Sequence, residues 1–150
     1  MRVITVVRAI IKQEDKLLLA QNKSLVASNA WCLPGGKANE DESLTDALSR
    51  ELVEETGVVP QIGQLAYVYQ FFTERNGEPV QRLEFFFAVL NPGDYLNVDI
   101  TKTTHGALET AKIGFVDYTT VKLLPEFLIS EELDFSPDEI DQVKFFKQSA

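Results

Sequence analysis

The sequence predicts an α+β fold with a mixed β-sheet, and three observations support this class. Short β-rich segments dominate residues 2–33 and 64–90. One longer segment with helical periodicity, residues 43–56, separates them. A second helix-start signal lies near residue 136. With 150 residues and 45% hydrophobic content, the chain is expected to form a single domain, residues 1–150, around its own core.

The first elements are predicted to be strands. Arg2 to Ile11 and Lys16 to Gln21 are apolar and β-rich, and they flank the polar Lys12 to Asp15, so a hairpin is expected. Residues 25–33 form a loop or a short strand. Pro34, Gly35 and Gly36 then interrupt regular structure.

The segment from Ser43 to Thr56 is predicted to be the central helix. It is rich in Leu, Ala, Glu and Arg, lacks proline, and precedes Gly57, where a left-handed cap belongs. At about 100° per residue, one stripe of this helix begins apolar and continues as acids. The stripe consists of Leu44, Ala47, Leu48, Glu51, Glu54 and Glu55. Its apolar half is expected to face a core.

The acidic half of that stripe, Glu51, Glu54 and Glu55, suggests a metal site. Burying several carboxylates together costs hydration, and the like charges repel. A divalent cation removes both penalties, and oxygen ligands suit Mg²⁺ or Mn²⁺. The alternative is a solvated acidic helix end. Acids near a helix C-terminus oppose the macrodipole, which counts against that alternative.

The second half of the chain is predicted to contain further strands. Gln64 to Phe72 alternates in side-chain type, residues 76–79 form a turn, and Val80 to Leu90 is a second strand. Ile113 to Asp117 resembles another strand, and Thr120 to Leu124 is expected to start a short helix.

A terminal helix is predicted over about residues 136–148. Ser136, Pro137 and Glu139 supply the cap, the first-turn proline and the capping-box acid.

Composition limits the partners that this chain can bind. Its net charge is −9 and its basic residues are scattered, which argues against a nucleic-acid surface. The apolar runs are too short to span a bilayer, and no signal peptide is evident, so a soluble cytoplasmic protein without a membrane partner is expected. A small phosphorylated substrate is compatible with the acidity if metal is bound. A homodimer is left open.

The spacing around the helix resembles a known family. Gly36 is followed after five residues by Glu42 and after seven more by Arg50-Glu51-Leu52-Val53-Glu54-Glu55-Thr56-Gly57-Val58, with Trp31 to Gly36 as a lead-in. This pattern resembles the complete box of the Nudix hydrolases. The resemblance implies an α/β/α sandwich and Mg²⁺- or Mn²⁺-dependent hydrolysis of a nucleoside diphosphate linked to another moiety.

The resemblance also implies roles for individual residues. Glu51, Glu54 and Glu55 would be metal ligands, helped by a backbone carbonyl of Gly35 or Gly36, and Glu42 and Arg50 would be a structural pair. Glu51 or Glu55 would orient or deprotonate the attacking water.

Family members often add an acid from a later loop, for which Glu109 is the best match and a further catalytic candidate. Glu84 is its rival, because a free carboxylate in mid-strand is costly unless it faces the site. His105, the single histidine, is expected to be exposed to solvent rather than catalytic.

Substrate contacts are less sharply indicated. Arg8, Lys37 and Arg82 are the candidate phosphate contacts, although Arg82 could instead form a surface salt bridge with Glu84. Tyr69, together with Tyr67 and Phe71, could stack a base, or these rings could belong to the core. The substrate itself cannot be named from the sequence.

Two other functions fit the same scaffold. A nucleotide- or ADP-ribose-sensing module without turnover is one, but such modules typically lose box acids and this chain keeps them all. An isomerase would need a catalytic cysteine, and Cys32, the single cysteine, is better explained as a packing residue.

Overall fold

A computed structural model describes residues 1–98, 110–130 and 140–148. Within these ranges the chain forms ten strands and two α-helices. In chain order they are β1 Arg2–Ile10, β2 Lys12–Gln13, β3 Lys16–Asn22, β4 Ala30–Cys32, β5 Gly35–Lys37, α1 Leu44–Thr56, β6 Ile62–Arg75, β7 Glu78–Val89, β8 Thr110–Val116, β9 Lys122–Leu124, α2 Phe127–Ser130 and β10 Lys144–Lys147. No helix in the described ranges is long and apolar enough to cross a membrane.

The strands form two sheets. The first has the order β10-β6-β7-β1-β5, and the second has the order β2-β3-β4-β9, with β8 also paired to β3. In the first sheet β1 runs parallel to β7 but antiparallel to β5, so the sheet is mixed. The α+β class and the mixed sheet predicted from the sequence are therefore confirmed.

The predicted hairpin of residues 2–11 and 16–21 is only partly correct. The short β2 pairs with the start of β3, but β1 lies in the other sheet. Val7 and Ala9 pack into one core cluster while Ile10 packs into another, so β1 is covered on both faces. A strand buried on both faces favours an interior position, between β5 and β7, over the edge of a hairpin.

Helix α1 has the caps that the sequence predicts. The Ser43 hydroxyl accepts a hydrogen bond from the Asp46 N–H at 3.1 Å. Gly57 is left-handed, with φ of 77°, and its N–H donates to the Val53 carbonyl at 2.9 Å. Leu48 and Leu52 are fully buried on the face that packs against β1 and β7. This packing fixes the direction in which the acids of α1 emerge.

The hairpin of β6 and β7 forms the floor of the functional site. Its turn residues Asn76 and Gly77 both have positive φ, 54° and 80°, as a two-residue hairpin turn requires. The register sets Tyr69 opposite Glu84 and Phe71 opposite Arg82. These four side chains therefore share one face of the first sheet.

The short helix predicted over Thr120 to Leu124 is a strand. Residues 122–124 form β9, which pairs in parallel with β4. Leu123 is fully buried in the second core cluster, and this burial, together with pairing to β4, outweighs the weak local helix signal. The helix begins only after Pro125, at Phe127.

The predicted terminal helix over residues 136–148 is also corrected. Residues 136–139 lie outside the described residues, and residues 144–147 form β10, which pairs in parallel with β6. Phe145 is 58% exposed, whereas Phe146 stacks on Phe127 with ring centroids 4.3 Å apart. The partners of this strand come from distant parts of the sequence, so local capping signals could not reveal it.

Candidate active site

Gly35 brings the backbone of β5 close to that of β1. It has φ of 144° and pairs with Arg8, and an added Cβ would lie 2.9 Å from the Arg8 Cα. Only glycine tolerates both the backbone conformation and the contact. The segment around Gly35 and Gly36, called the glycine loop below, is thereby held against β1, the strand that carries Arg8.

Gly36 makes a second close approach, to the first acid of the helix. A Cβ at this position would lie 2.5 Å from the Glu51 Cδ. The Glu51 carboxylate therefore rests directly on the Gly36 backbone. The absence of a side chain at Gly36 creates the space that this carboxylate occupies.

Arg50 binds several groups around this loop. Its guanidinium contacts the Glu42 carboxylate at 2.6 and 3.0 Å and donates to the Lys37 carbonyl at 3.0 Å. The same group reaches Glu51 at 3.1 Å and Glu54 at 3.3 Å. Arg50 thus cross-links the loop and the acidic helix face.

The electrostatics follow from these contacts. Hydrogen bonds from Arg50 and from the Asn39 N–H lower the pKa of Glu42 from 4.5 to about 2. Hydrogen bonding to Glu42 in turn raises the pKa of Arg50 above its ordinary value. Both groups therefore carry full charge over the physiological range.

A small cavity of about 200 Å³ adjoins the loop. Its lining includes Arg8, Cys32, Gly35, Gly36 and Glu55. Burial raises the pKa of the Cys32 thiol, so the thiol stays protonated at neutral pH. A protonated thiol is a poor nucleophile, which argues against the isomerase alternative.

Arg8 is one of the charged residues that line this cavity. Burial disfavours the charge of Arg8 and lowers its pKa. The nearby Cys32 sulfur and then the carboxylates of Glu84, Glu55 and Glu51 outweigh burial, so that the pKa is raised above its ordinary value. Its Nη1 donates to the Leu33 carbonyl at 3.2 Å. The guanidinium is therefore a fixed positive charge beside the acids of α1.

The donor set around Gly36 fits a hard divalent cation in its chemistry. Glu51 rests on the Gly36 backbone, and Glu55 lines the same small cavity as Gly36. Carboxylate and carbonyl oxygens are the ligands that Mg²⁺ prefers. Within residues 1–98, 110–130 and 140–148, however, no three Asp, Glu, His or Cys side chains converge enough to hold one ion as they stand. Arg50 contacts Glu51 and Glu54 in this arrangement.

A wider cavity of about 590 Å³ lies beside the small one. Its lining combines aromatic, aliphatic and charged side chains: Arg8, Asn22, Leu25, Cys32, Tyr69, Phe71, Arg82, Glu84, Leu124, Pro125, Glu126, Phe127 and Gln148. The rings of Tyr69 and Phe71 stack at 4.8 Å, and the Arg82 guanidinium lies 5.6 Å from the Phe71 centroid. Arg8, Asn22 and Cys32 line both cavities, so the two are neighbours along one groove.

Comparison with known proteins agrees with this arrangement. A family model described as the NUDIX domain matches residues 1–133. The chain belongs to the Nudix family. The fold class expected from the resemblance is therefore confirmed.

Individual Nudix relatives are more distant or match only in part. CTP pyrophosphohydrolase of Escherichia coli is 41% identical over 71 residues, which cover 47% of this chain and 53% of that protein. ADP-ribose pyrophosphatase of Methanocaldococcus jannaschii is 36% identical over 63 residues, covering 42% of this chain and 37% of that protein. This chain thus spans about half the length of the first relative and less of the second.

Among solved structures, the solution structure of the Escherichia coli ORF135 protein superposes with a TM-score of 0.59 at 25% identity. It covers 87% of this chain and 86% of that chain.

The structure brings together most of the residues singled out in the Nudix sequence. Arg8, Tyr69 and Arg82 line the wider cavity. Lys37 instead lines a separate groove with Glu42, on another part of the surface. Tyr67 is only 3% exposed and packs in the core, so of the three candidate rings only Tyr69 and Phe71 reach the cavity.

Other site residues were missed, or lie beyond what the structure describes. Glu109 and His105 are outside the described residues. Phe127 and Gln148 line the wider cavity, yet sequence reasoning did not single them out. The Tyr69 hydroxyl donates to the Gln148 side-chain carbonyl at 2.9 Å, a contact that depends on β10 pairing with β6. No local signal at Gln148 could have revealed it.

Proposed function

We propose that this Nudix chain is a metal-dependent hydrolase that cleaves the pyrophosphate bond of a nucleoside diphosphate linked to another moiety. The observation that carries this proposal is the junction of two cavities at Arg8. The smaller one contains Glu55 and the glycine loop, and the wider one contains Tyr69 and Phe71. An acidic end and an aromatic end suit the phosphate chain and the base of one nucleotide.

The names of the relatives support the same reaction class. One relative is named a CTP pyrophosphohydrolase and another an ADP-ribose pyrophosphatase. Both names describe cleavage of a phosphoric anhydride in a nucleotide derivative. A nucleoside triphosphate or a nucleoside diphosphate derivative is therefore the proposed substrate class.

The acids of α1 supply the proposed metal site. Glu51, Glu54 and Glu55 would hold Mg²⁺ or Mn²⁺, with backbone oxygen help from Gly36. Such an ion, when bound, neutralises the carboxylates and stabilises negative charge on phosphate oxygens. Family members generally use divalent metal ions, which agrees with this donor set.

The remaining proposed roles belong to the protein's own side chains. Glu51 or Glu55 orients or deprotonates a water molecule, which attacks one phosphorus atom as the bridging P–O bond breaks. Glu109 remains the other candidate base. Arg8 contacts the phosphates at the junction of the two cavities. The fixed charge of Arg8 holds the phosphate chain without reorganisation.

The base would lie in the wider cavity. Stacking on rings such as Tyr69 and Phe71 contributes about 1–3 kcal/mol per base and tolerates any base. If stacking were the only contact with the base, the protein would bind nucleotides but would discriminate only modestly between their bases.

One assay tests the proposed function. Nucleoside triphosphates, nucleotide sugars, ADP-ribose, dinucleoside polyphosphates and a non-nucleotide organic diphosphate are incubated with the protein and Mg²⁺, and the released phosphate, pyrophosphate and nucleotide are measured. We expect cleavage at a phosphoric anhydride of at least one member. Binding of a member without cleavage of any would favour the sensing module. A strong preference for a non-nucleotide diphosphate would remove the stacking role and keep the hydrolase.

A further inference from the structure

The wider cavity contains a charged group that the proposed reaction does not use. Glu84 is 5% exposed and lies on the cavity floor, in mid-strand. Its Oε2 is 3.2 Å from Arg82 Nη2, and its Oε1 is 3.7 Å from Arg8 Nε. A carboxylate this buried needs compensation, and two arginines supply it.

The arrangement leaves room for a ligand on the carboxylate. The 3.7 Å separation from Arg8 is too long for a hydrogen bond, so Oε1 keeps acceptor capacity. Each carboxylate oxygen can accept about two hydrogen bonds, so Oε2 also keeps a site beside Arg82. The floor therefore presents a carboxylate acceptor next to a guanidinium donor.

The position of this pair suits the edge of a base rather than a phosphate. Glu84 lies opposite Tyr69 in the sheet register, and Arg82 lies opposite Phe71. A base that contacts these rings extends its polar edge towards the neighbouring strand, where Glu84 and Arg82 stand. A phosphate would be repelled by Glu84, whereas Arg8 lies nearer to the acids of α1.

We propose that Glu84 and Arg82 determine base specificity and select guanine. The Watson–Crick edge of guanine carries the O6 acceptor beside two donors, N1–H and the 2-amino group. The carboxylate of Glu84 accepts from both donors, and Arg82 donates to O6. This inference rests on the proposed function, because it assumes that the base occupies the wider cavity.

The other bases match this floor less well. Cytosine and adenine each offer one amino donor beside one ring-nitrogen acceptor, which allows two hydrogen bonds rather than three. Uracil places its single N3–H between two carbonyl oxygens, and a carboxylate facing that edge is repelled by them. Guanine is therefore expected to bind most tightly.

The test compares GTP with ITP, because hypoxanthine, the base of ITP, differs from guanine only in lacking the 2-amino group. Affinities are measured by isothermal titration calorimetry in excess chelator, where the proposed turnover is absent. A hydrogen bond to a charged acceptor changes affinity by about ten- to a hundredfold, so GTP is expected to bind tighter than ITP by this factor.

Two variants identify the group responsible. Glu84→Gln replaces the carboxylate by an amide of the same shape and is expected to bring the ratio of GTP to ITP affinity close to one. Glu78→Gln is the matched control, since Glu78 is exposed on the same strand outside the cavity. It is expected to leave the ratio unchanged.

Several outcomes would overturn the inference. Equal wild-type affinity for GTP and ITP would do so, and so would failure to bind either nucleotide both in chelator and in the presence of Mg²⁺. If Glu84→Gln weakened every nucleotide by one factor with the ratio unchanged, Glu84 would be only a counterion for the arginines. The wild-type ratio decides the matter even if Glu84→Gln does not fold. A preference for guanine in binding, without hydrolysis of any substrate, would contradict the proposed hydrolase function but would support the role of Glu84 and Arg82 in selecting the base.

Discussion

Arg50 donates two parallel hydrogen bonds to the Glu42 carboxylate, from Nη2 to Oε1 at 2.6 Å and from Nε to Oε2 at 3.0 Å. Bidentate pairing of this kind fixes orientation as well as distance. Because the same guanidinium also holds the Lys37 carbonyl, it ties the loop after Gly36 to helix α1. The pair therefore positions the glycine loop beneath the acids of that helix.

The first prediction concerns the acid sensitivity of this pair. The pKa of Glu42 is about 2 in the folded chain, below its ordinary value of 4.5. Its stabilising effect is thus complete above the unfolded value and is lost as the pH falls through the folded value. Arg50→Ala removes the effect, so it should destabilise the protein more at about pH 6 than at about pH 2.5. Urea unfolding at both pH values measures the difference.

Two further variants control this experiment. Glu42→Gln should show the same pH pattern, because it removes the titrating partner. Arg50→Lys should be intermediate, since Lys keeps the charge but cannot form two parallel hydrogen bonds. A destabilisation by Arg50→Ala that is equal at the two pH values would show that the pair does not set the acid response.

The second prediction concerns turnover. Glu54→Gln and Glu55→Gln should each lower kcat by about a hundredfold or more, because each removes a carboxylate from the proposed metal site. Excess chelator should abolish activity of the wild type. Asp46→Asn is the matched control on the same helix, where Asp46 is exposed near the N-terminus, and it should retain activity. Full activity in chelator would exclude the proposed metal dependence.

The third prediction concerns stability in the presence of metal. Glu51, Glu54 and Glu55 lie on one helix stripe, and their mutual repulsion disfavours the folded state when no cation is bound. Mg²⁺ should raise the Tm with a logarithmic dependence on its concentration above the Kd. Glu55→Gln should weaken this response, and Asp46→Asn should not. A Tm that is indifferent to millimolar Mg²⁺ would argue against a metal site in the folded chain.

The fourth prediction concerns the two phenylalanines of β10. Phe146 packs against Phe127 and Tyr67, with ring centroids 4.3 and 6.0 Å away, whereas Phe145 is 58% exposed. Phe146→Ala should lower the free energy of unfolding by about 2 kcal/mol, less than for a fully buried ring. Phe145→Ala should change it by less than about 0.5 kcal/mol. Equal effects of the two variants in urea unfolding would place β10 away from this cluster.

Sequence reasoning succeeded where local signals and tertiary packing agree. Ser43 and Gly57 mark the ends of α1 by their own hydrogen-bonding and backbone preferences, and the structure keeps both. The Asn76-Gly77 turn likewise states its conformation locally. The spacing of the box also predicted that Glu51 and Glu55 lie near the glycine loop. This prediction was possible because residues three to four apart lie on the same face of a helix.

Sequence reasoning failed where long-range pairing decides. β9 and β10 are short, and each is held by a parallel partner far away in sequence, β4 and β6. Long-range pairing also explains why the chain passes at Ile11 from β1 in the first sheet to β2 in the second, because β1 pairs with β5 and β7 rather than with β3. The Leu18 N–H still bonds the Ile11 carbonyl at 2.9 Å, so the local hairpin contact exists although the strands separate. Pairing between remote segments leaves no period in the sequence to detect.

The pairing of β10 with β6 has a consequence for synthesis on the ribosome. Gln148, which accepts the hydrogen bond of Tyr69, and Phe146, which stacks on Phe127, are synthesised almost eighty residues after Tyr69. Helix α1 and strand β1 are therefore both synthesised, and can pack together, well before Gln148 completes the lining of the wider cavity. A chain stalled before residue 144 lacks β10, so Tyr69 and Phe127 would each lose a contact and expose more apolar surface to chaperones.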